Sequence, residues 1–138
     1  MTITKHAALL LTTLVGFTGL LNAQTSTTVK AQVPFAFVAS GKTMPAGGCT
    51  IAAVVNGRTL LTINSGEQHA YVLPIADASP KSRKKTALLF HRYGDRYFLT
   101  GITRENGSGY QLPASKLERE LQARNLRWQV FTLLASAK

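Results

Sequence analysis

Phe90-His91-Arg92-Tyr93-Gly94-Asp95-Arg96-Tyr97-Phe98-Leu99 is the stretch that decides the fold. Two β-prone runs flank Gly94-Asp95, and glycine at the first central position of a two-residue loop suits a type II′ turn. That turn sets Phe90 opposite Leu99, His91 opposite Phe98 and Arg92 opposite Tyr97. Arg92 can then stack on Tyr97 and Arg96 on Tyr93, at ~0.5–1 kcal/mol each.

Working outward, the same grammar recurs. Cys49 to Val55 and Arg58 to Asn64 flank Asn56-Gly57, the dipeptide that favours a type I′ hairpin. A two-residue loop there sets Val55 opposite Arg58, Ala53 opposite Leu60 and Ile51 opposite Thr62. Val29 to Ala39 alternates Val33, Phe35 and Phe37 with Pro34 and Ala36. Pro34 lacks an N–H, so this run is expected at a sheet edge or broken at a bulge. Gly41 to Gly48 reads as a loop, Ser65 to Gln68 as a turn and His69 to Ala76 as a strand. Asp77 to Lys85 and Glu105 to Gly109 read as loops.

One helix is expected. Ser115-Lys116-Leu117-Glu118 has the form of a capping box, in which the Ser115 hydroxyl accepts from the Glu118 N–H and the Glu118 carboxylate reaches back. Leu117 and Leu121 share a face, and Asn125 is a plausible stop. Arg127 to Ala135 closes the pattern with Trp128, Val130 and Thr132 on one face and Gln129, Phe131 and Leu133 on the other. The expected fold is all-β and mainly antiparallel: a small barrel or sandwich of about seven strands, with one short helix before the last strand.

Residues 1–23 read as a secretory signal peptide: Lys5 in the n-region, an uncharged run from Ala7 to Leu21, and Ala23 before a cut at Gln24. Leu21 is large for its place, three residues before the cut. Residues 24–138 are then one domain, with no transmembrane span after cleavage. The expected destination is the periplasm or the medium.

The 138 residues include 16 Lys or Arg against 6 Asp or Glu, a net charge of +10 that points to acidic partners. Lys81, Arg83, Lys84 and Lys85 crowd one loop and, with Arg92 and Arg96, are the candidate contacts for an anionic envelope polymer or lipid head groups. The bland alternative is a solvated loop that discourages aggregation. Nucleic acid is not expected, because the chain carries an export signal and no recognisable nucleic-acid motif.

Val33-Pro34-Phe35, Met44-Pro45-Ala46-Gly47, the Phe90–Leu99 hairpin and Leu112-Pro113-Ala114-Ser115 together resemble an uncharacterised family of small exported bacterial proteins. Those proteins share a signal peptide, a Val-Pro-Phe element, a Pro-Ala-Gly element and a Phe-His-Arg-Tyr-Gly-Asp hairpin. The resemblance spans most of residues 29–135 and implies a common fold and export, but no catalytic residues. Here Met44 stands where leucine is usual, and Cys49 where an aromatic is usual.

No serine elbow, phosphate-cradling glycine loop or Cys–His metal finger is present, so no enzyme, cofactor or metal is expected. His69 and His91 lack metal-ligand spacing. The lone Cys49 reads as a small buried hydrophobe, which in an exported protein could instead link two chains by a disulfide. The expected function is a non-enzymatic binding or structural module at the cell envelope. Two alternatives are a carrier of a small apolar ligand, which needs an internal cavity and is excluded by a filled interior, and a hydrolase or isomerase with a pocket at His91, which needs a carboxylate beside it.

Overall fold

The computed structural model describes residues 28–75, 85–105 and 107–137. Residues 1–23, read above as a signal peptide, and Lys81, Arg83 and Lys84 lie outside them. Two sheets face each other, and a helix lies over the outer side of one.

The first sheet runs in the order β11 (Ser136–Ala137), β1 (Thr28–Val33), β4 (Gly47–Asn56), β5 (Arg58–Ser65), β6 (Gln68–Val72). The second runs β10 (Gln129–Leu134), β7 (Ala87–Tyr93), β8 (Arg96–Thr103), β2 (Phe37–Ala39), β3 (Lys42–Met44), with β9 (Gly109–Gln111) also on β8. Pairing is antiparallel except for β2 against β8. The two sheets form an open sandwich rather than a closed barrel. Eleven strand segments appear among the described residues where about seven are expected, the additions being two or three residues long.

The core between the sheets follows from alternation. On β1 and β4, Val29, Ala31, Val33, Cys49, Ile51 and Ala53 are buried while their neighbours are not. Phe37, Met44, Leu88, Phe90 and Leu99 join the same cluster. Burial of each large side chain contributes roughly 1.5–3 kcal/mol.

Pro34 breaks the first run. The chain bends at Pro34 and Phe35, leaves the first sheet after Val33 and enters the second at Phe37. Phe35 stays at the crossing, stacked on Tyr97 with ring centroids 3.7 Å apart.

The Phe90–Leu99 hairpin has the expected register: Phe90 opposite Leu99, His91 opposite Phe98, Arg92 opposite Tyr97. Gly94 takes φ 59° at the turn. The Arg92 guanidinium lies 5.5 Å from the Tyr97 ring centroid.

The Asn56-Gly57 hairpin departs from expectation by one residue. Ala53 faces Leu61 and Ile51 faces Ile63. Odd-numbered residues are buried on both strands, so only an even sum of partner numbers puts the two buried faces on one side. A two-residue loop would have set Ala53 and Ile51 against outward-facing residues. Burial therefore overrides the turn preference.

Other expectations are corrected. Gly41 to Gly48 is not all loop: Ser40 and Gly41, at φ 50° and 80°, turn β2 into β3. β6 stops at Val72 instead of continuing to Ala76, since Pro74 cannot donate to a ladder. Glu105 to Gly109 ends in β9, where Gly109 lies so close to β8 that a Cβ would stand 2.5 Å from the Ile102 oxygen.

Candidate functional site

The outer face of the second sheet carries Leu89, His91 and Phe98. Helix α1 (Lys116–Ala123) covers part of it: Ser115 caps the Glu118 N–H at 3.2 Å and Asn125, at φ 56°, ends the turn that follows. Leu121 packs into a small cluster with Tyr93 and Phe98.

The capping box is only half formed. Instead of reaching back, the Glu118 carboxylate points into the sheet, where its Oε1 lies 2.7 Å from His91 Nδ1 and accepts from the Tyr93 hydroxyl at 3.1 Å. Gln122 donates to that hydroxyl at 3.2 Å. The Tyr93 hydroxyl and the His91 ring nitrogen, converging on one oxygen, give polar partners to a carboxyl side chain that is only 2% exposed. Burial raises the Tyr93 phenol, and the adjacent Glu118 carboxylate adds to the effect.

The other side of His91 is stacked on Trp128, with centroids 3.9 Å apart and planes at 24°. Its Nδ1 is committed to Glu118, which leaves Nε2 as the nitrogen available to a ligand.

His91 and Glu118 also wall a cleft of about 670 Å³. Leu89, Ile102, Leu112 and Ala114 give it apolar walls, and Gln111 and Gln122 add amides. The Thr100 hydroxyl, also in the wall, donates to the Leu89 carbonyl at 3.2 Å, and that of Thr103 to the Lys85 carbonyl at 2.9 Å. The volume is in the range of small-molecule sites.

The remaining candidates are placed as follows. Lys85, Arg92 and Arg96 are exposed. Lys85 precedes β7 whereas Arg92 and Arg96 lie at its far end, so about 23 Å of extended chain separates Lys85 from Arg92. Asp95 is exposed at the hairpin tip and is not the partner of His91. His69 is exposed on β6, in the other sheet, with Nδ1 2.6 Å from Asn64 Oδ1. Cys49 is 2% exposed and free, and burial pushes its thiol up to about 11. Among the described residues no cluster of three or more His, Cys, Asp or Glu side chains could hold a metal, and no helix is long and apolar enough to cross a membrane.

Sequence reasoning missed the Glu118 contact. The available signal was a carboxylate in the first turn of an amphipathic helix, on the turn that also carries Leu121. No family model, no curated protein and no solved structure matches this chain.

Proposed function

We propose that this chain is an exported, non-enzymatic binding module of the cell envelope, and that its ligand is a small molecule held in the cleft between the outer sheet face and α1. One observation carries this reading: a mostly apolar cleft of about 670 Å³ in which a half-buried histidine, oriented by a buried carboxylate, offers one ring nitrogen. Few convergent polar groups on apolar walls are what a small-molecule site needs. Core side chains occupy the space between the sheets, which counts against a carrier with an internal cavity; the site proposed is this surface cleft.

Native mass spectrometry of protein from its own exported fraction tests the reading. A bound small mass that disappears in Ala114→Trp, which fills the cleft, is expected, with the mature chain starting at Gln24. A bare chain in every preparation, or one still carrying Met1 to Ala23, would count against ligand and export respectively.

Envelope contact is assigned to Lys81, Arg83, Lys84 and Lys85, with Arg92 and Arg96 as a second basic group at the hairpin tip. Replacing the four loop residues by serine should weaken retention on anionic envelope fractions and flatten its salt dependence. Unchanged retention would remove the electrostatic assignment.

A hydrolase or isomerase is the second reading, favoured by the 2.7 Å approach of His91 to Glu118. Carboxylate and imidazole are two parts of a proton-transfer site. Both cleft threonine hydroxyls are spent on backbone carbonyls, so proton abstraction fits better than nucleophilic attack. Turnover of a bound compound, lost in His91→Gln, would establish this reading over the first.

A further inference from the structure

We infer that the corner where the Gly94-Asp95 turn meets the end of α1 docks on an acidic lipid bilayer, with Arg96 and Arg127 on head-group phosphates and Leu126 and Trp128 entering the interface. This deepens the envelope contact assigned above and rests on that reading, but not on the cleft.

The corner is built by the way α1 stops. Asn125 takes φ 56° and its N–H donates to the Gln122 carbonyl at 2.9 Å, while the Leu126 N–H reaches the Leu121 carbonyl at 3.3 Å. These two bonds close a helix end of the Schellman type, in which the residue after the left-handed one folds back on the last turn. Leu126 thereby joins Leu121, and both help to line a notch of about 390 Å³ together with Tyr93. The hairpin tip adds Gly94, Asp95 and Arg96 to its walls, and the chain leaving the helix adds Arg127.

Arginine keeps its charge at every pH the fold meets, and two arginines line the notch against one carboxylate, Asp95. Arg92, the other cation of the tip, turns back: its Nε donates to the Gly94 carbonyl at 2.7 Å and its guanidinium lies by the Tyr97 ring. Arg127, rather than Arg92, is therefore the partner of Arg96. Apolar surface lies alongside. Residues 122–130 are all exposed, and among them Leu126, Trp128 and Val130 are 47%, 44% and 52% exposed. Leu126-Arg127-Trp128 thus sets a cation between two large apolar side chains.

Tryptophan is enriched at membrane–water interfaces, where its ring sits at head-group level, and arginine grips phosphate through its planar fork. Three half-exposed side chains fall short of the ~800 Å² per partner that a stable protein interface buries. A second copy of the chain would also bring the same excess of positive charge, +10. A bilayer needs no matching shape, and each cation adds its own attraction to acidic head groups.

Trp128 is the single tryptophan of the chain, so its emission reports on this corner alone. The experiment titrates protein from the exported fraction with vesicles of phosphatidylcholine, alone or mixed with phosphatidylglycerol. Binding to the mixed vesicles, weakened by salt, is expected. Trp128 emission should move to shorter wavelength and be quenched by lipid brominated near the head-group end of its acyl chains. The double variant Arg96→Gln, Arg127→Gln should bind about tenfold or more weakly.

Vesicle binding that leaves Trp128 unshifted and unquenched would overturn the inference while leaving envelope contact to the basic loop. Retention on an anionic polysaccharide with no response to vesicles would overturn it in the same way. Protein that holds to neither would sink the envelope reading as well. Should the double variant fail to fold, quenching in the unaltered chain decides alone.

Discussion

Glu118 is the residue on which the outer face depends. Its carboxylate is buried, and it closes a chain of hydrogen bonds running from Gln122 through Tyr93 to His91. Glu118→Leu should strand the Tyr93 hydroxyl and His91 Nδ1 at roughly 1–3 kcal/mol in urea unfolding. Glu118→Gln can still accept and should lose less. Equal losses would mean that the network contributes only packing. Cys49 has a different character. Its thiol is held up to about 11 in the fold against an ordinary 9.0. The unfolded chain therefore gives up this proton first. The stability attached to Cys49 is whole below pH 9, and declines as pH rises from there towards 11. Cys49→Ala should flatten that part of the pH–stability curve, and iodoacetamide should label the native chain no faster than global unfolding allows.

At the level of elements, β9 and α1 frame the cleft and were the hardest to read. Gly109→Ala would drive a Cβ to 2.5 Å from the Ile102 oxygen, so β9 must move off β8. A loss of about 1–3 kcal/mol is expected from such overpacking, together with weaker ligand binding, because Tyr110 and Gln111 line the cleft. Ser115→Ala removes only the cap and should cost about 1 kcal/mol. The Phe90–Leu99 hairpin was legible to the residue pair because turn and burial agree there. At Asn56-Gly57 they disagree, and a rule based on the turn alone misplaces the register by one. The type and position of α1 were legible from its cap, but its buried face was not: Glu118 and Leu121 are buried while Leu117, expected to share the face of Leu121, is exposed. Local pattern says where a carboxylate sits on a helix; only the sheet beneath reveals that a histidine and a tyrosine await it. β3 and β9 escaped notice because three residues are too few to show a period.

Considered whole, the sandwich guards its open side with side chains. β6 and β3 are the outer strands of their sheets there, and the β2–β3 turn reaches across. The Ser40 hydroxyl donates to the Tyr71 carbonyl at 3.2 Å and the Lys42 ammonium to the His69 carbonyl at 3.0 Å. Both bonds occupy carbonyls on β6 that an incoming strand could otherwise use. The double variant Ser40→Ala, Lys42→Ala should leave thermal stability within about 1 kcal/mol yet raise light scattering on concentration. A variant that stays monodisperse would show that the edge is protected by other means.

Across the molecule from that edge, β1 is joined by β11, with Val29 opposite Ala137 and Lys30 opposite Ser136. The earliest and latest described strands are thus neighbours, and neither sheet is complete until residues 129–137 are in place. Until residues 129–137 emerge, the outward side of β1 has no mate and β7 lacks its flanking strand β10. Such distant pairing slows folding. A chain without residues 129–137 in place would therefore keep β1 paired only with β4 and β7 paired only with β8, each sheet one strand short at that side.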